Sequence, residues 1–231
     1  MEAANETRSQ KSEAALPLPE DVVTLASPEG QRRLEECSAA GEASPSQYAT
    51  IGPCFRTQVG SKMCGAASTA MILSSLPGSE RVEEAGVFDL YEDGGQPGAP
   101  RREGVEAAGV VLDELHKMTS SVPQLRPAAC RYAEDMGGGA EELRATVCEA
   151  LRQSGARVLL NYHMSTLGQT PFQGHVSPVA AYHRPTDSFL IMDTWPKTEP
   201  VWATAARIWE AARHVDQKSK RSRGIVITGV R

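Results

Sequence analysis

The sequence lacks any apolar run that approaches the length of a membrane span. It also lacks a basic surplus, because 24 lysines and arginines stand against 29 aspartates and glutamates, for a formal net charge of −5. Such a surface attracts neither nucleic-acid phosphates nor acidic lipid. The first residues carry glutamates and no hydrophobic signal segment. We therefore predict a cytoplasmic protein with no nucleic-acid and no membrane partner.

The five cysteines lack any Cys-x-x-Cys pair, and their number is odd. This pattern fits neither a disulfide framework nor a structural zinc site. We expect free thiols in a reducing compartment.

The hydrophobic pattern of the chain changes from helical spacing in the first half to strand-like runs in the second. Residues 1–20 are polar and are predicted to form a disordered N-terminal tail, followed by one domain over 21–231. The pattern predicts an α+β fold with a helical half and an antiparallel sheet half. The expected helices are 20–40, 64–76, 105–118, 140–154 and 201–215, and the expected strands are 157–162, 175–182, 188–193 and 224–229.

Cys64 stands where a loop meets the first turn of a helix rich in small and apolar residues. Unpaired backbone N–H groups and the positive end of the helix dipole favour a thiolate there, which is the nucleophilic form. Gln58, six residues upstream, could reach the same point and donate to an oxyanion. The alternative is that Cys64 is a small hydrophobic residue of a core helix.

A predicted β-hairpin supplies the partners that a catalytic cysteine needs. If residues 183–185 form a three-residue loop with Tyr182 opposite Thr186, then His175 lies opposite Asp193 with Cβ atoms roughly 5 Å apart. Asp193 would orient the imidazole and leave its other nitrogen for the thiol of Cys64. Taken singly, His175 could be a hydrogen-bonded histidine at a strand start, and Asp193 a residue that closes a strand.

Several short motifs together resemble the catalytic domain of phytochelatin synthases, from about residue 25 to the C-terminus. The most specific is Gly174-His175-Val176-Ser177-Pro178. The others are Gln58-x5-Cys64-Gly65, Asn161-Tyr162, Leu167-Gly168-Gln169, Phe189-Leu190-Ile191-Met192-Asp193, Pro200-Val201-Trp202 and Arg223-Gly224.

The resemblance implies a papain-like fold and an acyl transfer from glutathione. Cys64 would be acylated by γ-Glu-Cys with release of glycine, and His175, Asp193 and Gln58 would serve as base, orienting residue and oxyanion donor. A second glutathione, or water, would accept the acyl group. The resemblance further implies no tightly bound cofactor and no metal ligands in the chain itself. Cadmium or zinc would act as an activator, bound to glutathione as a thiolate.

Four residues are predicted from the same resemblance to bind substrate: Asn161, Tyr162, Gly174 and Arg223. The fork of Arg223 matches the geometry of a carboxylate. The alternative for Arg223 is an exposed arginine at the end of the basic run 218–223. The resemblance covers the short form of the family, without the Cys-rich C-terminal extension of the plant enzymes.

Two departures from the family keep other functions open. Met164 stands where the family usually has an arginine, and Trp195-Pro196 replaces an arginine–aromatic pair. These changes favour a papain-like peptidase or amidase that only hydrolyses glutathione or another thiol peptide. A third hypothesis is a non-enzymatic thiol protein that binds soft metals through Cys37, Cys54, Cys130 and Cys148. The oligomeric state is not given by the sequence, and a homodimer is left open.

Overall fold

The computed structural model describes residues 18–91, 94–169 and 174–230. At its centre lies a sheet in which all neighbouring strands are antiparallel, in the order β1-β6-β5-β4-β3-β7-β2. The strands are β1 (Val22–Thr24), β2 (Leu125–Tyr132), β3 (Ala156–Tyr162), β4 (His175–His183), β5 (Ser188–Ile191), β6 (Val201–Thr204) and β7 (Gly224–Val230). The predicted α+β class is confirmed.

Helices cover both faces of this sheet. One apolar cluster joins α6 and α7 to the sheet, and two others join α1 to α5 to its opposite face. The helices are α1 (Pro28–Ala40), α2 (Tyr48–Ile51), α3 (Cys64–Ser74), α4 (Arg102–Ala108), α5 (Leu112–Ser120), α6 (Gly139–Arg152) and α7 (Ala205–Arg213). Within the described ranges, no helix has the length and apolar character needed to cross a bilayer.

Three of the predicted helices are interrupted or shortened. The helix expected over 105–118 is two helices, α4 and α5, because Gly109 adopts a φ of 66° that ends the first one. The helix expected over 201–215 begins with strand β6, and α7 starts after Thr204, whose hydroxyl accepts from the N–H of Arg207 at 3.3 Å.

The N-terminal part of the domain also contains more strand than the sequence predicted. The weakly helical 20–40 segment contains strand β1 before helix α1, which starts after the N-cap Ser27. Strand β2 was missed altogether, so Cys130 lies in a strand rather than in or near a helical pattern. Of the predicted tail, residues 1–17 lie outside the described residues.

A buried hydrogen bond from a side chain joins helix α3 to the start of β4. The Ser68 hydroxyl donates to the carbonyl of Val176 at 2.9 Å, and both residues are buried. Gly65 permits a close approach of the next layer, since a Cβ there would lie 2.5 Å from Cγ2 of Val110. The first turn of α3, which begins at Cys64, is therefore fixed beside the first residue of β4, His175.

The predicted hairpin is present, but the predicted register is wrong. His183 pairs with Ser188, so the connection is the four residues 184–187, with Asp187 in the left-handed region at φ 47°. A bulge between Val179 and Ala181 then shifts the pairing by one residue, and Val179 faces Ile191. By strand alternation, that shift returns His175 and Asp193 to one side of the sheet.

Candidate active site

A cavity of about 340 Å³ opens between the start of α3, the start of β4 and the segment that follows α7. It falls within the size range of small-molecule sites, roughly 300–1,000 Å³. Five residues singled out from the sequence line it: Cys64, Asn161, Gly174, His175 and Arg223. Residues more than 150 positions apart in the chain are thus brought to one cavity.

His175 and Asp193 form the pair that the sequence predicted, although not as direct neighbours in the sheet. Nε2 of His175 lies 2.8 Å from Oδ1 of Asp193, and both side chains are buried. The same carboxylate oxygen accepts from the backbone N–H of Trp195 at 2.8 Å. Asp193 therefore fixes the ring orientation of His175 and leaves Nδ1 on its other side.

The surroundings of His175 favour its charged form. Burial is the largest single influence and opposes protonation. The charge and hydrogen bond of Asp193, together with a hydrogen bond to the Cys64 side chain, outweigh it and raise the pKa of His175 to about 10. A raised pKa favours the imidazolium, the form that can give a proton to a leaving amine.

Gln58 is buried at the edge of this group rather than in the cavity lining. Its side-chain amide Nε2 donates to the carbonyl of Gly60 at 2.7 Å, and its backbone N–H donates to the carbonyl of Thr194 at 2.7 Å. Gln58 thus contacts the loop that leads to Cys64 through its side chain, and Thr194, the residue after Asp193, through its backbone. Its role as an oxyanion donor stays a prediction.

Arg223 is only 4% exposed, so the alternative of an exposed arginine is wrong. Its Nη1 donates to Oδ2 of Asp216 at 2.7 Å and to Oδ1 of Asn161 at 3.1 Å. Burial lowers the pKa of Arg223, and the Asp216 carboxylate opposes that shift. Gly174 packs on the guanidinium, because a Cβ there would lie 2.7 Å from Nη1.

Tyr162 does not line the cavity. The ring is fully buried and meets the His175 ring edge to face, with centroids 5.6 Å apart. The hydroxyl lies 3.2 Å from Oγ of Ser177, and burial raises the pKa of Tyr162 well above its ordinary value, with the Asp193 charge adding to the shift. The structure thus places Tyr162 against the base, and its substrate-binding role stays a prediction.

Three residues near the site were not found from the sequence. Thr194 contacts both His175 and Gln58, Asp216 holds Arg223, and Lys62 lines the cavity. A hydroxyl directly after Asp193 and a lysine two positions before Cys64 were available signals. Asp216 offered none, because only the fold shows that it faces Arg223.

The two departures from the family pattern occupy different environments. Met164 is fully buried in the cluster beneath α6 and α7, so an apolar side chain fills the place of an arginine. Trp195 lines the cavity and contributes an apolar ring to it. Of these two residues, only Trp195 lies in the cavity lining.

The five cysteines, all within the described ranges, are free thiols, as predicted. Those other than Cys64 are separated in the fold: Cys37 lies in α1, Cys54 in the turn after α2, Cys130 in β2 and Cys148 in α6. No three histidine, cysteine, aspartate or glutamate side chains of the described residues come together as a metal-ligand set. This arrangement gives no support to a soft-metal binding protein built on these four cysteines.

The fold and the site together define an α+β domain that carries a cysteine and an imidazole at one cavity, with a buried carboxylate bonded to the imidazole. A family model described as phytochelatin synthase matches residues 13–225. The chain belongs to the phytochelatin synthase family.

Similar curated proteins carry one enzyme name. Glutathione gamma-glutamylcysteinyltransferase 3 of Lotus japonicus is 24% identical over 213 residues, which are 92% of this chain and 43% of that protein. Glutathione gamma-glutamylcysteinyltransferase 2 of Arabidopsis thaliana is 25% identical over 178 residues, 75% of this chain and 37% of that protein. The corresponding enzyme 1 of Triticum aestivum is 24% identical over 221 residues, 94% of this chain and 42% of that protein. The chain thus spans less than half the length of these relatives.

Proposed function

We propose that the protein is a glutathione γ-glutamylcysteinyltransferase with competing hydrolase activity, built on a papain-like fold and acting in the cytoplasm. The observation that carries this proposal is the meeting of Cys64, His175 and the buried Asp193 at one cavity that also holds a buried arginine, Arg223. Family membership supports the same conclusion, since the similar proteins carry this enzyme name.

The first half of the reaction forms a thioester. The Cys64 thiol gives its proton to His175, the thiolate attacks the carbonyl carbon between cysteine and glycine of glutathione, and an electron pair moves onto the carbonyl oxygen. The side-chain amide of Gln58 donates a hydrogen bond to that oxyanion. As the intermediate collapses, His175 gives its proton to the glycine nitrogen, and glycine leaves.

The second half returns the enzyme to its starting state. The amine of a second glutathione attacks the thioester carbonyl, His175 takes the proton, and the Cys64 sulfur leaves as a thiolate. The product is glutathione lengthened by one γ-Glu-Cys unit. Water in place of the amine gives free γ-Glu-Cys, which is hydrolysis.

The charges around the cavity suit an anionic peptide. Glutathione has a carboxylate at each end, and Arg223 supplies a planar cation beside Asn161 and Gly174. Asp216 neutralises part of that charge but also holds the fork in place at 2.7 Å. Lys62 and Lys218 also line the cavity; Lys218 pairs with Glu114, whereas Lys62 has no carboxylate partner within the described ranges.

Cadmium or zinc enters this scheme with the substrate. The described residues bring together no ligand set for a resident ion. We assign the metal to glutathione, whose thiol is a preferred ligand of soft cations. The metal thiolate would then be the second substrate.

A second candidate is a peptidase or amidase restricted to hydrolysis of glutathione or another thiol peptide. Trp195 in the cavity lining favours it, because an aromatic wall suits an apolar substrate group better than a second anionic peptide. The family's arginine is replaced by the buried Met164, which removes one cation for the acceptor.

The test is product analysis of glutathione incubated with the purified protein, with and without cadmium. Chromatography would separate glycine, γ-Glu-Cys and longer peptides. Glycine release that is lost in Cys64→Ser supports the acyl-enzyme route. Cys54→Ser is the matched control, because that thiol lies outside the cavity lining.

The pattern of products distinguishes the candidates. Oligomers that appear with cadmium establish the transferase, while glycine and free γ-Glu-Cys alone establish the hydrolase. Wild-type turnover in Cys64→Ser contradicts both. No glycine from the wild-type protein contradicts the transferase and restricts the second candidate to a thiol peptide other than glutathione.

A further inference from the structure

The Thr194 hydroxyl lies between His175, which transfers protons in the proposed reaction, and Gln58, the proposed oxyanion donor. Its Oγ1 is 3.5 Å from Nε2 of His175 and 3.4 Å from Oε1 of Gln58, and the side chain is fully buried. A backbone hydrogen bond joins the same two residues, because the carbonyl of Thr194 accepts from the N–H of Gln58 at 2.7 Å. Thr194 therefore contacts Gln58 by both its side chain and its main chain.

The direction of these hydrogen bonds follows from Asp193. An ionised carboxylate only accepts, so Nε2 of His175, 2.8 Å from Oδ1, must carry a proton. The Thr194 oxygen can then accept from this N–H but not donate to it. The single hydroxyl proton of Thr194 is left for Oε1 of Gln58. The imidazole N–H thus donates to the hydroxyl oxygen, and the hydroxyl donates to the amide oxygen.

This order fixes the orientation of the Gln58 amide. With Oε1 turned to the Thr194 hydroxyl, Nε2 points to the other side, where one of its two N–H groups donates to the carbonyl of Gly60 at 2.7 Å. The second N–H is available for an oxyanion. A reversed amide would present its oxygen and repel the developing charge.

We infer that Thr194 is a positioning residue for the acyl transfer, and that its hydroxyl keeps the Gln58 amide turned with nitrogen toward the oxyanion. The inference rests on the proposed function, because it assumes that Gln58 donates to the carbonyl oxygen under attack. It assigns Thr194 no contact with the substrate. Any effect of Thr194 on the rate must therefore act through Gln58, and an experiment can test this dependence.

The experiment is a double-mutant cycle with Thr194→Val, Gln58→Ala and the combined variant. Valine keeps the shape of threonine and removes the hydroxyl, while Thr194→Ser keeps the hydroxyl and serves as the conservative variant. Two acyl donors are used: glutathione, followed by glycine release, and p-nitrophenyl acetate, followed by acylation of Cys64. The ester forms an oxyanion without needing the glutathione-binding residues.

With both acyl donors, Gln58→Ala is expected to lower kcat by roughly 100-fold, the usual effect of losing one oxyanion donor. Thr194→Val is expected to lower kcat by about tenfold with KM nearly unchanged, because the amide is only partly misoriented while Gly60 still binds it. Thr194→Ser should stay within about twofold of wild type. In the Gln58→Ala background, Thr194→Val should have no further effect.

Three results would overturn the inference. Wild-type kcat in Thr194→Val shows that the hydroxyl is not needed. Effects of Thr194→Val and Gln58→Ala that multiply show that Thr194 does not act through Gln58. A loss in Thr194→Ser equal to that in Thr194→Val points to packing, and circular dichroism of both variants identifies misfolding.

The outcome also separates this inference from the proposed function. Wild-type protein that is acylated by the ester but releases no glycine from glutathione contradicts the proposed function, and the ester cycle still decides the role of Thr194. Wild-type protein that neither releases glycine from glutathione nor is acylated by the ester contradicts both.

Discussion

His175 and Asp193 share a 2.8 Å hydrogen bond at the end of a hairpin whose register changes by one residue before reaching them. Near the turn, His183 pairs with Ser188. If this register continued without the bulge beside Val179, His175 and Asp193 would lie on opposite faces of the sheet. The bulge therefore has a chemical consequence. It brings the carboxylate to the imidazole.

The first prediction concerns stability and pH. Asp193 holds the pKa of His175 at about 10 in the folded protein, against about 6.5 for an unperturbed histidine. A raised pKa contributes stability that is fully present below about pH 6.5 and is lost as the pH rises through about 10. One pKa unit corresponds to about 1.4 kcal/mol, so we expect a contribution of a few kcal/mol.

Urea unfolding of wild type and Asp193→Asn between pH 6 and 10 measures this effect. The wild-type advantage in free energy of unfolding should be largest at pH 6 and shrink toward pH 10. Asp187→Asn is the control, because that carboxylate contacts Tyr182 and Arg144 rather than His175. An advantage that is constant over this range contradicts the prediction.

The elements that the sequence predicted well are those with one strong local signal. Helices α3 and α6 and strands β3 and β7 lie close to their predicted ranges, because each has a continuous apolar run or a clear helical stripe. The place of Cys64 at the start of α3 was predicted for the same reason. The pair of His175 and Asp193 was predicted from a hairpin register that is wrong near the turn and that the bulge compensates. The family motifs pointed to the same cysteine, histidine and aspartate.

What the sequence did not predict depends on contacts between distant segments. The bulge near Ala180, the burial of Arg223 by Asp216 and the link from Thr194 to Gln58 arise only when the layers pack. Strand β2 was missed, and its half-exposed residues offered no clean alternation to indicate it. The local hydrophobic pattern predicts where helices and strands lie, whereas strand register and the pairing of charged side chains depend on the tertiary fold.

The second prediction concerns the bond between α3 and β4. Ser68→Ala removes the hydroxyl that donates to the carbonyl of Val176 and leaves that buried oxygen without its side-chain donor. The free energy of unfolding should fall by about 1–3 kcal/mol. Because this bond sits between Cys64 and His175, kcat for glycine release should fall as well.

Thr69→Ala is the matched control for Ser68→Ala. Thr69 is equally buried, but its hydroxyl donates within the helix to the carbonyl of Gly65. Denaturant unfolding and glycine release are measured for both variants at a temperature where both are folded. Equal loss of kcat in the two variants would show that general destabilisation, not the tie to β4, is responsible.

The third prediction concerns Gly174 and the guanidinium that packs on it. A methyl group at position 174 would lie 2.7 Å from Nη1 of Arg223, which cannot move freely while Asp216 and Asn161 hold it. Gly174→Ala should therefore displace the fork and raise KM for glutathione several-fold, with a smaller effect on acylation by p-nitrophenyl acetate. Gly155→Ala, where a Cβ meets no atom within 4 Å, is the control. Equal changes with both acyl donors would count against a role of Arg223 in binding glutathione.

The last prediction concerns Lys62, the cation at the cavity that has no carboxylate partner within the described ranges. Its ammonium donates to the carbonyl of Ala107, so its charge is available to an anionic substrate. An exposed ion pair contributes up to about 1 kcal/mol, and Lys62→Met should raise KM for glutathione by up to about fivefold with kcat unchanged.

Salt dependence identifies this contribution as electrostatic. The difference in KM between wild type and Lys62→Met should shrink when the ionic strength is raised from about 0.1 to 1 M, because the Debye length falls from about 10 to 3 Å. Lys62→Arg should keep the wild-type KM, and Lys197→Met, which removes an exposed lysine outside the cavity lining, should leave it unchanged at every salt concentration. A KM for Lys62→Met that equals that of the Lys197→Met control at low salt would contradict a role of Lys62 in binding the substrate carboxylates.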